Sequence, residues 1–209
     1  AEANKVSSVL VTSNKLNENK NTSFKLVYHL PFKFEIPNYT KEFLENSSLL
    51  KLRIKFFRRF LYILSKKQKS LEMFNILPIH KTILWINIAA PSLGDTLMDL
   101  SSRVLLSGRK VDLFTDKKNA DLYKSDSIFS SIYIDRKEVK KRSYDLVIMD
   151  SYSTRSFSVK ANVAPLTKFI GMFGFYNGPE VNRVLFSFHR MNKILGYIKN
   201  EEEIKKVFN

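Results

Sequence analysis

From residue 81 onward, short apolar runs alternate with helix-length segments of mixed character. Ile83–Ala90 (ILWINIAA) is nearly continuous in apolar side chains, as expected of a central parallel strand covered on both faces. Thr96–Leu106 has helical spacing, with Gly108 placed as the glycine just past its end. Lys110–Asp116 reads as a second strand, Asn119–Lys124 as a short helix, and Ile128–Ile134 as a third strand. Tyr144–Asp150 follows as a fourth strand, Thr154–Ala164 as a helix and Lys168–Met172 as another strand. Phe186–Tyr197 is amphipathic, and Glu201–Phe208 forms a charged terminal helix or tail. Strands separated by helix-length segments predict an α/β fold over 81–209, a Rossmann-like βαβ sheet.

Residues 1–80 are patterned differently and read as an extension. The first 23 are rich in Asn, Ser and Lys, with only a short apolar patch at 9–11 that suits one edge strand. Asn46, Ser47 and Ser48 then offer helix caps, and a basic amphipathic helix is predicted over about 48–70. Leu50, Ile54, Phe57, Leu61 and Leu64 recur at spacings of four and three, which places them on one helix face. Leu49, Leu52, Phe56, Phe60 and Ile63 widen that face, while Lys51, Arg53, Lys55, Arg58, Arg59, Lys66, Lys67 and Lys69 form its basic complement. Such a helix can lie on an anionic bilayer or pack on the following domain, and the two coexist if the domain covers only part of the face.

Charge sharpens that choice. The chain carries 35 Lys+Arg against 20 Asp+Glu, a formal +15. That excess suits an anionic membrane surface, nucleic acid or a phosphorylated substrate, although abundant Lys, Asn, Ile and Phe also fit plain compositional drift. With no cysteine, disulfides, zinc–thiolate sites and thiol nucleophiles are excluded. No stretch approaches the roughly 20 apolar residues of a membrane span, and the N-terminus lacks a signal peptide's apolar core. The expectation is a cytoplasmic protein, soluble or peripheral on the inner face of the membrane.

Chemistry concentrates at Ser92-Leu93-Gly94-Asp95, the carboxyl end of the first strand of the sheet, where doubly wound folds bind ligands. Gly94 lacks a Cβ and so suits a strained backbone angle or the close approach of a ligand. Ser92 and the first amides of the helix suit an anion. A single glycine makes neither a dinucleotide fingerprint nor a P-loop, and a carboxylate at the mouth repels pyrophosphate. Asp95 suits a hydroxyl instead, as a general base, or it simply caps the helix and complements its dipole.

The segment I-L-W-I-N-I-A-A-P-S-L-G-D-T-L-M at 83–98, with K-V-D-L-F-T-D after the next helix, resembles the opening of glycosyltransferase family 9. That family includes the lipopolysaccharide heptosyltransferases. Y-D-L-V-I-M-D at 144–150, K-F-I-G-M-F-G-F-Y-N-G-P at 168–179 and Phe188-His189-Arg190-Met191-Asn192 are similar to later family elements in the same order, covering roughly 81–197. The resemblance implies the N-terminal, acceptor-side half of a GT-B fold. Its partner half, not recognised in this chain, would bind a nucleotide-activated sugar such as ADP-heptose as donor substrate, with no further cofactor. The acceptor would be a lipopolysaccharide core or related glycolipid, and Asp95 would be the general base. Ala89 and Ala90 depart from the pattern, because many members carry a lysine there.

Ser92, Gly94, Asp150, Ser151, His189 and Arg190 are the expected substrate-binding residues, although capping equally explains Asp150 or Ser151, and packing explains His189. Arg103, Lys168 and Arg183 are further cations for an acceptor phosphate. His29, His80 and His189 lie apart, so no metal site is expected. A non-catalytic interaction module of the same fold is the alternative. Nucleic acid is disfavoured, since the aromatic residues of 51–62 fall on the apolar side of the helix rather than among its cations.

Overall fold

A computed structural model describes residues 49–173 and 183–196. The edge strand at 9–11, the caps at 46–48, the turn at 177–179 and the terminal helix at 201–208 lie outside the described residues. Five strands form one sheet: β1 (Thr82–Asn87), β2 (Lys110–Thr115), β3 (Phe129–Tyr133), β4 (Leu146–Ser151) and β5 (Phe169–Phe173). Their order is β3-β2-β1-β4-β5 and every pairing is parallel, so the fold is the expected Rossmann-like α/β sheet. The apolar run of β1 is buried from Ile83 to Asn87, because helices cover both faces.

Alternation along the strands divides the core into two layers. Ile83, Trp85, Leu113 and Ile148 form one layer with a 3-10 segment (Ser101–Leu106) and α6 (Arg183–Ile194), against which α2 (Leu93–Asp99) packs. Leu84, Ile86, Val147 and Met149 form the other layer with α5 (Thr154–Val163) and α1 (Leu49–Ser65). Two short helices, α3 (Lys117–Ala120) and α4 (Arg136–Val139), complete the connections; α4 falls where the apolar pattern predicts no helix. The helix expected at Thr96–Leu106 begins three residues earlier and tightens to 3-10 geometry after Leu100. Side-chain hydroxyls compete with its backbone ladder: Ser101 Oγ donates to the Met98 carbonyl and Ser187 Oγ to that of Asp99.

Two carboxylates bracket β4 and tie both of its ends to β1. Asp145, just before the strand, accepts from the Lys81 and Thr82 amides at 2.9 and 2.8 Å and from Thr82 Oγ1 at 2.8 Å. Those bonds, led by the Thr82 amide, hold its carboxyl below the usual range. Asp150, near the other end, accepts from the Ile88 and Ala89 amides.

α1 docks by its C-terminal half. Ile63 is buried in the second layer with Phe60 and Tyr62 packed against it. Gln68, buried just beyond, donates to the carbonyls of Lys66 and Pro165 and accepts from Lys160 Nζ. Lys160 is fully buried over the Phe169 ring, 5.2 Å from its centroid, and burial pulls its ammonium down to about 7. The one α1 face of the sequence reading is thus two in the structure: Ile63 turns inward, whereas Ile54, Phe57, Leu61 and Leu64 are exposed.

Gly108 has φ of +86°, as a helix-terminating glycine requires, and nothing lies within 4 Å of where a Cβ would stand. Gly108→Ala is therefore expected to cost about 1 kcal/mol through backbone strain alone, read by urea unfolding. Gly94→Ala is expected to leave stability unchanged or slightly raised, since its Cβ would meet only Ser92 Oγ at 3.9 Å in an exposed helical turn.

Candidate functional site

The chain crosses from one face of the sheet to the other between β1 and β4, since α2 follows β1 on one side and α5 follows β4 on the opposite side. The carboxyl ends of these two strands therefore frame the crevice in which such folds bind ligands. β1 leads through Ile88–Pro91 to Ser92, the N-cap of α2, and Asp95 occupies the third helical position. The two close a reciprocal capping box: Ser92 Oγ accepts from the Asp95 amide at 3.1 Å, and Asp95 Oδ2 accepts from the Ser92 amide at 3.2 Å. Ser92 Oγ also donates to Asp95 Oδ2 at 2.6 Å. Gly94 takes an ordinary helical conformation, so the strained angle considered for it is not adopted.

The other oxygen of Asp95 accepts from Arg183 Nη1 at the start of α6. The same guanidinium engages Asp99, with Nη2 at 2.7 and 2.9 Å from its two carboxylate oxygens and Nε at 3.1 Å. Arg183 thus joins two carboxylates one turn apart on α2 and locks α6 across that helix. Their exposures differ: the Asp95 side chain is 18% exposed and that of Asp99 4%. Burial pushes the Asp99 carboxyl up to about 7, against the pull of Arg183. Asp99 went unnoticed in the sequence, yet acids at 95 and 99 share one helix face, and that spacing is a signal for a bridging cation.

Asp150 lies under the crevice rather than in it. It is 2% exposed; Oδ2 takes the Ile88 amide at 2.6 Å and the Ala89 amide, and Oδ1 takes the Ser151 amide and Ser156 Oγ at 2.7 Å. Burial raises its carboxyl while these four donors oppose the shift. The two amides at the end of β1, placed where phosphate-binding sheets present theirs, already hold this carboxylate. A second anion there would meet its charge, so the floor disfavours pyrophosphate. Ser151 stays half-buried, with its Oγ 3.4 Å from the Ser153 amide. Above the sheet, Arg155 pairs with Asp116 at 2.7 Å and Lys118 Nζ donates to the Pro91 carbonyl at 3.1 Å.

The remaining candidates are not gathered with Asp95. His189 and Arg190 stand about 9 and 10.5 Å further along α6 than Arg183, from the helical rise. Arg190 is buried, and its Nε and Nη2 donate to the Gly171 carbonyl at 3.2 and 2.7 Å, which pins α6 to β5. His189 is half-buried beside it. His80 is also buried, where its Nδ1 accepts from the Leu77 amide at 3.1 Å. Arg103 pairs with Asp126 at 2.6 Å. Among the described residues, no group of three or more His, Asp or Glu side chains is placed to hold a metal ion. No family model, curated protein or solved structure matches the chain.

Two buried groups bend the pH dependence of stability. Asp99 binds its proton more tightly folded than unfolded, about 7 against 3.8, so its contribution is greatest below pH 4 and is lost as pH rises to 7. Lys160 binds its proton less tightly folded, about 7 against 10.5, so its contribution is regained between pH 7 and 10.5. Both penalties are present together near pH 7. Asp99→Asn is expected to flatten the acid limb and Lys160→Met the alkaline limb, each by up to a few kcal/mol in urea unfolding across pH.

Proposed function

We propose that this chain is the acceptor-binding portion of a family 9-like glycosyltransferase, with Asp95 as the general base. A sugar would pass from a nucleotide donor such as ADP-heptose to a hydroxyl of a lipopolysaccharide core or related glycolipid. The observation that carries this reading is the state of Asp95: a partly exposed carboxylate at the crevice mouth, with Oδ1 fixed by Arg183 and Oδ2 already holding a hydroxyl, that of Ser92, at 2.6 Å. A group oriented to accept from one hydroxyl is oriented to accept from an incoming one.

In the reaction, the acceptor oxygen forms its bond to the anomeric carbon and gives its proton to Asp95. The bond from that carbon to the donor phosphate breaks, and the nucleoside diphosphate leaves with the electron pair. Arg183 holds the carboxylate in place, and exposed Gly94, where an added Cβ would meet only Ser92 Oγ at 3.9 Å, leaves room for the acceptor. The Asp150 floor disfavours a pyrophosphate on this side, which suits an acceptor site rather than a donor site.

A second reading is favoured by the same geometry, because the capping box and the Arg183 bridge by themselves account for both carboxylate oxygens of Asp95. On that reading the domain is a non-catalytic interaction module. Sugar transfer from ADP-heptose to de-acylated lipopolysaccharide core, assayed with the longest natural form of the protein, separates the two. Asp95→Asn keeps a capping side chain and is expected to lose at least about a hundredfold in turnover with its melting temperature little changed. Equal turnover would return Asp95 to its capping role, and no transfer by the wild type would favour the interaction module.

A further inference from the structure

The outward face of α1 belongs neither to the core nor to the crevice. Ile54, Phe57, Leu61 and Leu64 are 58, 58, 47 and 44% exposed. At 100° per residue they share an arc of about 80°, whereas Ile63, about 100° beyond the nearest of them, is 1% exposed. The row is therefore not the docking face of the helix but a second apolar stripe running beside it.

Charge says what this stripe faces. Arg58 is exposed beside it, and Lys66 and Lys67 are exposed just past the helix end. Between Leu49 and Ser70 the sequence contains eight Lys or Arg and not one Asp or Glu. A second copy of the chain laid on the same face would bring two cationic rims together. Residues 1–48 carry six Lys and five Glu, and residues 197–209 three of each with the acids at 201–203, so neither segment supplies a net negative charge to complement it. For nucleic acid, Phe57 stands in an aliphatic row instead of among the cations, where a base would stack. An apolar stripe with a basic rim fits an interface that is apolar inside and anionic outside.

We propose that α1 lies flat on an anionic lipid surface, with Ile54, Phe57, Leu61 and Leu64 entering the headgroup–acyl boundary while Ile63 keeps the domain attached. At 17 residues, and about 25 Å, α1 lies on the surface and does not cross it; no helix among the described residues is long and apolar enough to span a membrane. This inference does not depend on the proposed catalysis and is tested without donor or acceptor.

The test is co-sedimentation of the 209-residue chain with phosphatidylcholine vesicles, with and without about 30% phosphatidylglycerol. Binding at least about tenfold stronger to the anionic vesicles is expected, falling by a similar factor as salt rises from about 0.1 to 0.5 M. Phe57→Asp with Leu61→Asp, both exposed positions, should lose at least about tenfold in partition while the melting temperature stays near wild type. Equal binding to neutral vesicles, no binding to either, or undiminished binding by the double variant would each overturn the proposal. So would self-association of the wild type that the double variant abolishes, if vesicle binding is absent.

Discussion

The structure depends on the two carboxylates at the ends of β4. Asp145 takes two amides and a hydroxyl at the entrance to β1, and Asp150 takes two amides at its exit. β1 and β4 are the central pair of the sheet, and the chain changes faces between them. Fixing both ends of that pair fixes the register of everything built outward from it. The bonds are charge-assisted, and those of Asp150 lie where water cannot compete. A buried carboxylate without such donors would instead be a severe liability.

That solution for the fold limits the chemistry of the crevice. Amides that phosphate-binding sheets leave open at the end of the first strand are here closed by the protein's own anion. Beside it, at the start of α2, Asp95 is held between a hydroxyl and a guanidinium. Arg183 reaches it from α6, 88 residues along the chain, and also holds Asp99. Helix packing and site geometry are thus one constraint: separating α6 from α2 would strip Asp99 of its guanidinium and leave Asp95 only its Ser92 contacts.

α1 shows how one amphipathic segment serves two environments. Its inward side is sealed by Ile63 and, just past the helix, by Gln68, whose amide satisfies the Pro165 carbonyl while its oxygen accepts from the buried Lys160. Its other apolar stripe stays in solvent within a strongly basic stretch.

The sequence by itself determined the α/β class, the positions of the five strands and most of the helices between them, the short α4 excepted, because burial on two faces imposes apolar runs and helices impose a different period. It also placed Ser92 and Asp95 at a helix start after the first strand, since capping is a local interaction. Long-range partners were not legible. Nothing local says that Asp150 turns under the crevice to meet Ile88 and Ala89, that Arg190 serves Gly171, or that Arg183 bridges Asp95 and Asp99. A charged residue's spacing reports which helix face it shares, but its counter-charge is chosen by packing between elements distant in sequence. The same holds for α1, where period alone marked one broad apolar face and only the docking of Ile63 decided which part of it remains outside.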